Sequence, residues 1–177
     1  VARRLMYILN DSKVKIVDYN ADMIFFTGIS LAILDLNSRE CLLEQISEAR
    51  RKGARIAFDP NYRKQLWENK ETAAKWINLA YEVSDIIFPS FEEEEVLFNM
   101  TSIKSCLERL KIIGAKEIVL KAGEKGMYVQ DADQLVHREF ISADNVVDTT
   151  AAGDSFDGSY LAMRMSGLDV EESLAKA

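Results

Sequence analysis

Apolar residues in this chain come in short uninterrupted bursts separated by longer amphipathic stretches, the pattern of strands alternating with helices. Residues 22–28 (Asp-Met-Ile-Phe-Phe-Thr-Gly) read as a buried strand running into a glycine turn. Asn37 and Glu40 then stand in capping-box spacing before a helix that ends near Gly53. A second strand over 54–59 is stopped by Pro60, and a helix over 72–83 leads to a third strand at 85–88. Helices over 92–99 and 102–113, the latter stopped by Gly114, precede a strand at 117–121. Strands separated in this way by helices predict an α/β fold: a doubly wound, mostly parallel sheet with helices on both faces.

After Lys121 the hydrophobic period shortens. Residues 127–130 and 134–141 alternate polar and apolar around the acidic turn 131–133, which predicts an antiparallel hairpin. Phe156, Tyr160 and Met163 recur at helical spacing with Gly167 placed to end that helix, and 170–177 form a last helix that stops without a cap. Residues 1–17 fit helix and strand equally. With no internal repeat, low-complexity tract or long linker, 1–177 reads as a single domain. The opening Val1 and the uncapped last helix lead us to expect a fragment, incomplete at both ends.

Within this scaffold the stretch Asp148-Thr149-Thr150-Ala151-Ala152-Gly153-Asp154-Ser155-Phe156 concentrates chemistry. Ala152, Gly153 and Asp154 fall in the first turn of the predicted helix, where backbone N–H groups lack intrahelical acceptors and the helix dipole is positive. Such a turn attracts anions, and its small side chains let phosphate oxygens approach the backbone. Asp154, at the rim, can receive a hydroxyl proton. The alternative is ordinary capping: an acid in any first turn gains from the dipole, and Thr149 or Thr150 could cap the helix.

Composition narrows the partners. Of 177 residues, 48% are hydrophobic and 29% charged, which is the signature of a globular domain with a core. The 22 basic residues against 29 acidic ones give a net charge of −7, which argues against nucleic-acid binding. The longest apolar runs, such as 23–26 and 86–88, are far below a bilayer span, and no cleavable leader is visible, so a cytoplasmic location without membrane contact is expected. Cys41 and Cys106 lie in predicted amphipathic helices and read as small buried apolar residues. His137, the only histidine, has no Cys or second His nearby and reads as surface or satisfied core.

Ligands of doubly wound sheets bind beyond the carboxyl ends of the strands, which directs attention to the loops there. Asp59-Pro60-Asn61-Tyr62-Arg63 would present an amide, a phenol and a guanidinium, and the fork of Arg63 suits a carboxylate or phosphate. A proline turn with a solvated arginine is the simpler account. Ser90, followed by the acidic run 92–95, opens a helix whose acids a first turn explains by itself. Lys121-Ala122-Gly123-Glu124-Lys125-Gly126 could let backbone approach a nucleotide or could simply turn a hairpin.

Taken together, these motifs resemble the ribokinase-like, or phosphofructokinase-B, family of small-molecule kinases. Residues 148–154 fit its Asp-Thr-Thr-(Gly/Ala)-Ala-Gly-Asp signature at seven consecutive positions; Ser159 departs from the family's usual Ala or Gly. The resemblance implies Asp154 as catalytic base, Ala151, Ala152 and Gly153 as anion hole, and Asp148 as holding a monovalent cation such as K⁺. It implies Lys121, Gly123 and Gly126 at the nucleotide-binding edge, with Asn61, Tyr62, Arg63 and Ser90 around the nucleotide. Glu93 matches an acid that influences Mg²⁺, usually through water, while Ser90 replaces the family's usual Asn. Residues 59–63 with Leu66-Trp67, and 27–34 with Ile29 against the sugar carbons, are similar to stretches of 2-keto-3-deoxygluconate kinases, in which Arg63 would lie near the acid sugar.

The expectation is therefore an ATP- and Mg²⁺-dependent carbohydrate kinase that phosphorylates a primary hydroxyl of a sugar or sugar acid, 2-keto-3-deoxygluconate first. A fructokinase or ribokinase specificity is the nearest alternative, and a non-catalytic nucleotide-binding fragment is the alternative from another class. The resemblance also implies a sugar-enclosing lid, used by relatives to dimerise, upstream of the residues in this chain.

Overall fold

A computed structural model of the chain describes residues 21–132, 134–139 and 151–177. The ambiguous segment 1–17, the motif positions Asp148, Thr149 and Thr150, and the predicted strand end at 140–141 lie outside the described residues. Six strands form one sheet in sequential order: β1 (Met23–Thr27), β2 (Arg55–Asp59), β3 (Ile86–Ile87), β4 (Glu117–Lys121), β5 (Met127–Gln130) and β6 (Leu135–Arg138). The first four run parallel, and β4–β5 and β5–β6 pair antiparallel. The sequence pattern predicted both halves of this arrangement.

Side chains of the central strands alternate between two cores, because successive residues of a strand point to opposite faces. Phe26, Ile56, Phe58, Ile87, Ile118 and Leu120 pack with one group of helices: α1 (Gly28–Ala32), α2 (Leu36–Arg51), α3 (Lys70–Glu82), α4 (Phe91–Phe98) and α5 (Ile103–Ile113). Ala57, Ile86, Phe88, Val119 and Val129 pack on the other face against α6 (Ala152–Met165) and α7 (Val170–Lys176). The parallel strands add in one direction, so right-handed crossovers deliver α2, α3 and α5 to the same face. The opposite face is left for the C-terminal helices.

Local chemistry sets most element ends. Asn69 accepts from the Thr72 N–H (2.7 Å), Ser102 from Ser105 (3.1 Å) and Asp169 from Glu172 (2.8 Å), each capping its helix. Gly114 and Gly167, at φ +101° and +87°, close α5 and α6 in the left-handed conformation. The helix after β1 begins earlier than the Asn37/Glu40 spacing predicts: Asp35 is its cap, accepting from the Ser38 N–H at 2.8 Å. The predicted glycine turn at Gly28 is the start of the short helix α1. Cys106 is buried as expected, whereas Cys41 is exposed, because it sits on the outer side of α2 away from Leu42, Leu43 and Ile46. His137 lies on the surface, stacked on Tyr128 at 4.3 Å and bonded to the Lys125 carbonyl.

Candidate active site

The carboxyl ends of β1 to β4 and the first turn of α6 are tied together by direct contacts. After β1, Gly28 abuts the loop after β2: a Cβ there would lie 2.0 Å from the Pro60 carbonyl oxygen. After β2, the Asp59 carboxylate accepts the Asn61 N–H at 3.1 Å, a turn that holds Asn61 at φ +37°, a conformation Asn tolerates better than most residues. After β3, Ser90 caps α4 by accepting the Glu93 N–H, and Glu93 Oε1 accepts the Tyr62 N–H at 2.6 Å. Glu93 thus clamps the β2 loop from below. Burial pushes its carboxyl above the ordinary range and the nearby Asp59 adds to the shift, partly opposed by the Tyr62 N–H.

The fourth strand ends in Lys121, whose backbone bridges to Ser90 and whose ammonium reaches α6. Lys121 Nζ lies 3.3 Å from both carboxylate oxygens of Asp157 and 3.5 Å from Asp59 Oδ1. Asp157 is fully buried and Asp59 nearly so, an unusual concentration of acid under a helix end. Burial raises the Asp157 carboxyl strongly; Lys121 pulls it back, and the neighbouring Asp59 adds to the rise.

Helix α6 opens without a side-chain cap. Its N-cap, Ala151, is left-handed at φ +61°, and the helical ladder begins only with the Ser155 N–H donating to the Ala151 carbonyl at 2.8 Å. The N–H groups of Ala152, Gly153 and Asp154 therefore have no intrahelical acceptor, in a turn exposed from Ala151 to Ser155. Asp154 is linked to the β2 loop by the Asn61 Nδ2 donor at 3.4 Å, across 93 positions of sequence. A small anion-receptive turn, an exposed carboxylate and an amide are thereby brought to one place.

The fit to the groups implied by the sequence is uneven. An anionic ligand suits the uncapped turn of α6, the Lys121 ammonium and the open space at Gly123, where an added Cβ would meet nothing within 4 Å. Among the described residues no three His, Cys, Asp or Glu side chains gather as a metal site. A magnesium ion that arrives on nucleotide phosphates needs only one or two protein carboxylates, which is compatible with that absence.

Other predicted residues are placed as follows. Arg63 is exposed at the end of the β2 loop and, among the described residues, donates only to the Tyr62 carbonyl, at 3.4 Å. Tyr62 packs on the first core. Ile29 is half-buried in the first turn of α1 beside Gly28. Gly126 serves the hairpin: at φ +81° its Cβ would lie 2.1 Å from the Arg138 carbonyl oxygen, so close strand pairing explains this glycine. Asp148 lies outside the described residues.

A family profile, that of the pfkB family carbohydrate kinases, matches residues 8–177, which include every element just described. The chain belongs to the pfkB family. It is 38% identical to the 2-dehydro-3-deoxygluconokinase of Escherichia coli (strain K12) over 157 residues, 87% of this chain and 51% of that relative. The chain thus spans about half the length of the curated relatives it matches. Among solved structures, a PfkB protein from Polaromonas sp. JS666 superimposes with a TM-score of 0.77 at 25% identity, covering 88% of this chain and 50% of that one. A putative ribokinase II from E. coli, in complex with ATP and Mg²⁺, gives 0.72 at 26% identity over 86% of this chain and 48% of its own.

The site of this pfkB chain contains residues that sequence reasoning passed over. Asp157 was not singled out, and Asp59 entered only as the start of a turn. A signal existed for Asp157: Asp157, Tyr160, Leu161 and Arg164 fall on one face of α6, which places an acid on the stripe that a helix buries. A buried stripe position occupied by Asp demands a partner, and Lys121 is that partner.

Proposed function

We propose that this chain carries the catalytic half of an ATP-dependent carbohydrate kinase that phosphorylates a primary hydroxyl, with 2-keto-3-deoxygluconate as the sugar. The observation that carries the reading is the meeting of Asp154, the uncapped first turn of α6 and the Asp59–Arg63 loop through the Asn61 contact. Phosphoryl transfer asks for little covalent chemistry from a protein. It needs an acceptor that orients the attacking hydroxyl and fixed donors for charge on the phosphoryl oxygens. Asp154 is exposed and beside those donors, and accepts or orients the hydroxyl proton. The N–H groups of Ala152, Gly153 and Asp154, following Ala151, receive the transferring charge.

Arg63 is exposed and makes no ion pair among the described residues, so its guanidinium is free for an anionic ligand: the sugar carboxylate, the nucleotide phosphates or both. Asn61, Tyr62, Ser90, Lys121, Gly123 and Gly126 line the nucleotide side in this reading, with Gly126 acting by shaping the hairpin edge. Mg²⁺ comes with the nucleotide and neutralises phosphate charge. Glu93, already bonded to the Tyr62 N–H, acts on it through water, and Asp148 holds a monovalent cation such as K⁺. Ile29 packs on the sugar carbons. Support for the sugar acid comes from the 38% identity to a 2-dehydro-3-deoxygluconokinase over 157 residues of this chain.

Arg63→Ala tests the substrate assignment. It is expected to lower kcat/KM for 2-keto-3-deoxygluconate by roughly 10- to 100-fold, the loss of one charge-assisted pair, while changing kcat/KM for fructose much less. A native preference for fructose over the acid sugar would overturn it, and equal losses on both sugars would assign Arg63 to the nucleotide phosphates instead.

A further inference from the structure

Beneath the anion-receptive turn, the Lys121 ammonium meets two buried carboxylates that the proposed chemistry does not use. Asp157 is fully buried, Asp59 is 3% exposed, and both contact the Lys121 ammonium, at 3.3 and 3.5 Å. A Cβ built on Gly153 would lie 3.9 Å from Lys121 Nζ, so the ammonium sits directly against the first turn of α6. The Lys121 side chain retains 20% exposure, and its Nζ also lies 5.9 Å from the Phe88 ring centroid. Lysine is a compact charge on a flexible four-carbon stem, and without fixed partners it would spread over many rotamers. Asp157 is bidentate to it and comes from the same helix as the turn, one turn further on.

Resting on the kinase reading above, we propose that Asp157 is a positioning residue for the anion-binding turn. Together with Asp59 it holds the Lys121 ammonium against Gly153, so that a phosphoryl group at the first turn of α6 meets a lysine charge as well as the amide dipoles. Charge counting fits this role. Two ionised carboxylates and one ammonium would leave a net negative charge under a site meant for anions, whereas one retained proton makes the cluster neutral. Burial of Asp157 beside Asp59 favours that proton. The cluster then supplies a directed positive end to the turn without a net opposing field.

The test is a double-mutant cycle on the protein with Asp157→Asn, Lys121→Met and their combination, reading kcat, KM for MgATP and the calorimetric affinity for MgATP. Asp157→Ser is carried through the same cycle, so that the result does not depend on the folding of one variant. Asp157→Asn is expected to raise KM for MgATP roughly tenfold with a smaller change in kcat, as for other residues that orient a binding group. In the Lys121→Met background the same substitution adds no more than about twofold, because the residue it acts through is gone. An equal effect on KM and on MgATP affinity in both backgrounds, or a loss confined to kcat, would overturn the proposal. A native protein that transfers phosphoryl to no sugar would contradict the kinase reading, while the MgATP affinities measured by calorimetry across the same cycle would still decide the role of Asp157.

Discussion

Gly28 has no side chain because the carbonyl of Pro60 occupies the place where one would stand. The ideal Cβ position is 2.0 Å from that oxygen, well inside any tolerable contact, and the atom in the way is backbone. Gly28→Ala must therefore push the β1 loop away from the β2 loop that carries Asn61 and Arg63. We expect a loss of roughly 1–3 kcal/mol in stability, the usual range for overpacking, together with reduced turnover; thermal melting with an activity assay checks both. An unchanged Tm would mean that the two loops are not packed as described. Glycine alone in the sequence pointed to a turn at this position, and the reason for it lies in a residue 32 positions away. Asp157 was hidden for a similar cause: its partner Lys121 is 36 positions distant, and a single acid on a helix carries no visible sign of burial. The placement of Ala152, Gly153 and Asp154 in the first turn of a helix was legible because the pattern that predicts it is local.

At the scale of elements the hydrophobic pattern was sufficient wherever an element was long or fully buried. The bursts Ile56-Ala57-Phe58 and Ile118-Val119-Leu120 are strands enclosed by two cores, and a continuous apolar run is what such a position requires. The hairpin of β5 and β6 was visible in its shorter period and in its acidic turn. What stayed illegible was short or degenerate. Helix α1 has five residues, too few for a period to show, so its Gly28 read as a turn. Asp35 and Asn37 are both good capping residues two positions apart, and only the geometry around Ser38 selects Asp35. The convergence of loops at one sheet edge follows from parallel strand order, which explains why the candidate residues gathered as expected. Which loop touches which does not follow from it. Glu93 illustrates the difference: the family resemblance implied an acid that influences Mg²⁺, and nothing in the sequence indicated that its carboxylate accepts the Tyr62 N–H of the neighbouring loop.

The whole molecule is fastened on its helical side by a second polar network. Glu94 of α4 is fully buried; it accepts the Tyr81 hydroxyl from α3 and the Arg109 guanidinium from α5, both at 2.9 Å, and Arg109 also donates to Asn78. Burial outweighs these partners and pushes the Glu94 carboxyl from 4.5 up to about 7. The folded chain then holds this proton to higher pH than the unfolded chain does. The corresponding stabilisation is complete below pH 4.5 and is lost as pH rises through about 7, on the order of 3 kcal/mol for this group alone. Glu94→Gln, which stays neutral, should flatten the fall of Tm across that window; melting curves for both proteins between pH 5 and 8 make the comparison, and parallel curves would show that Glu94 does not titrate there. The central claim rests on Asp154, and its most direct measurement is turnover of Asp154→Asn with MgATP and sugar, paired with calorimetric binding of MgATP. The account predicts a kcat lower by roughly 100- to 10,000-fold, the usual contribution of a positioned proton acceptor, with nucleotide affinity changed by less than about threefold. A near-normal kcat would contradict it.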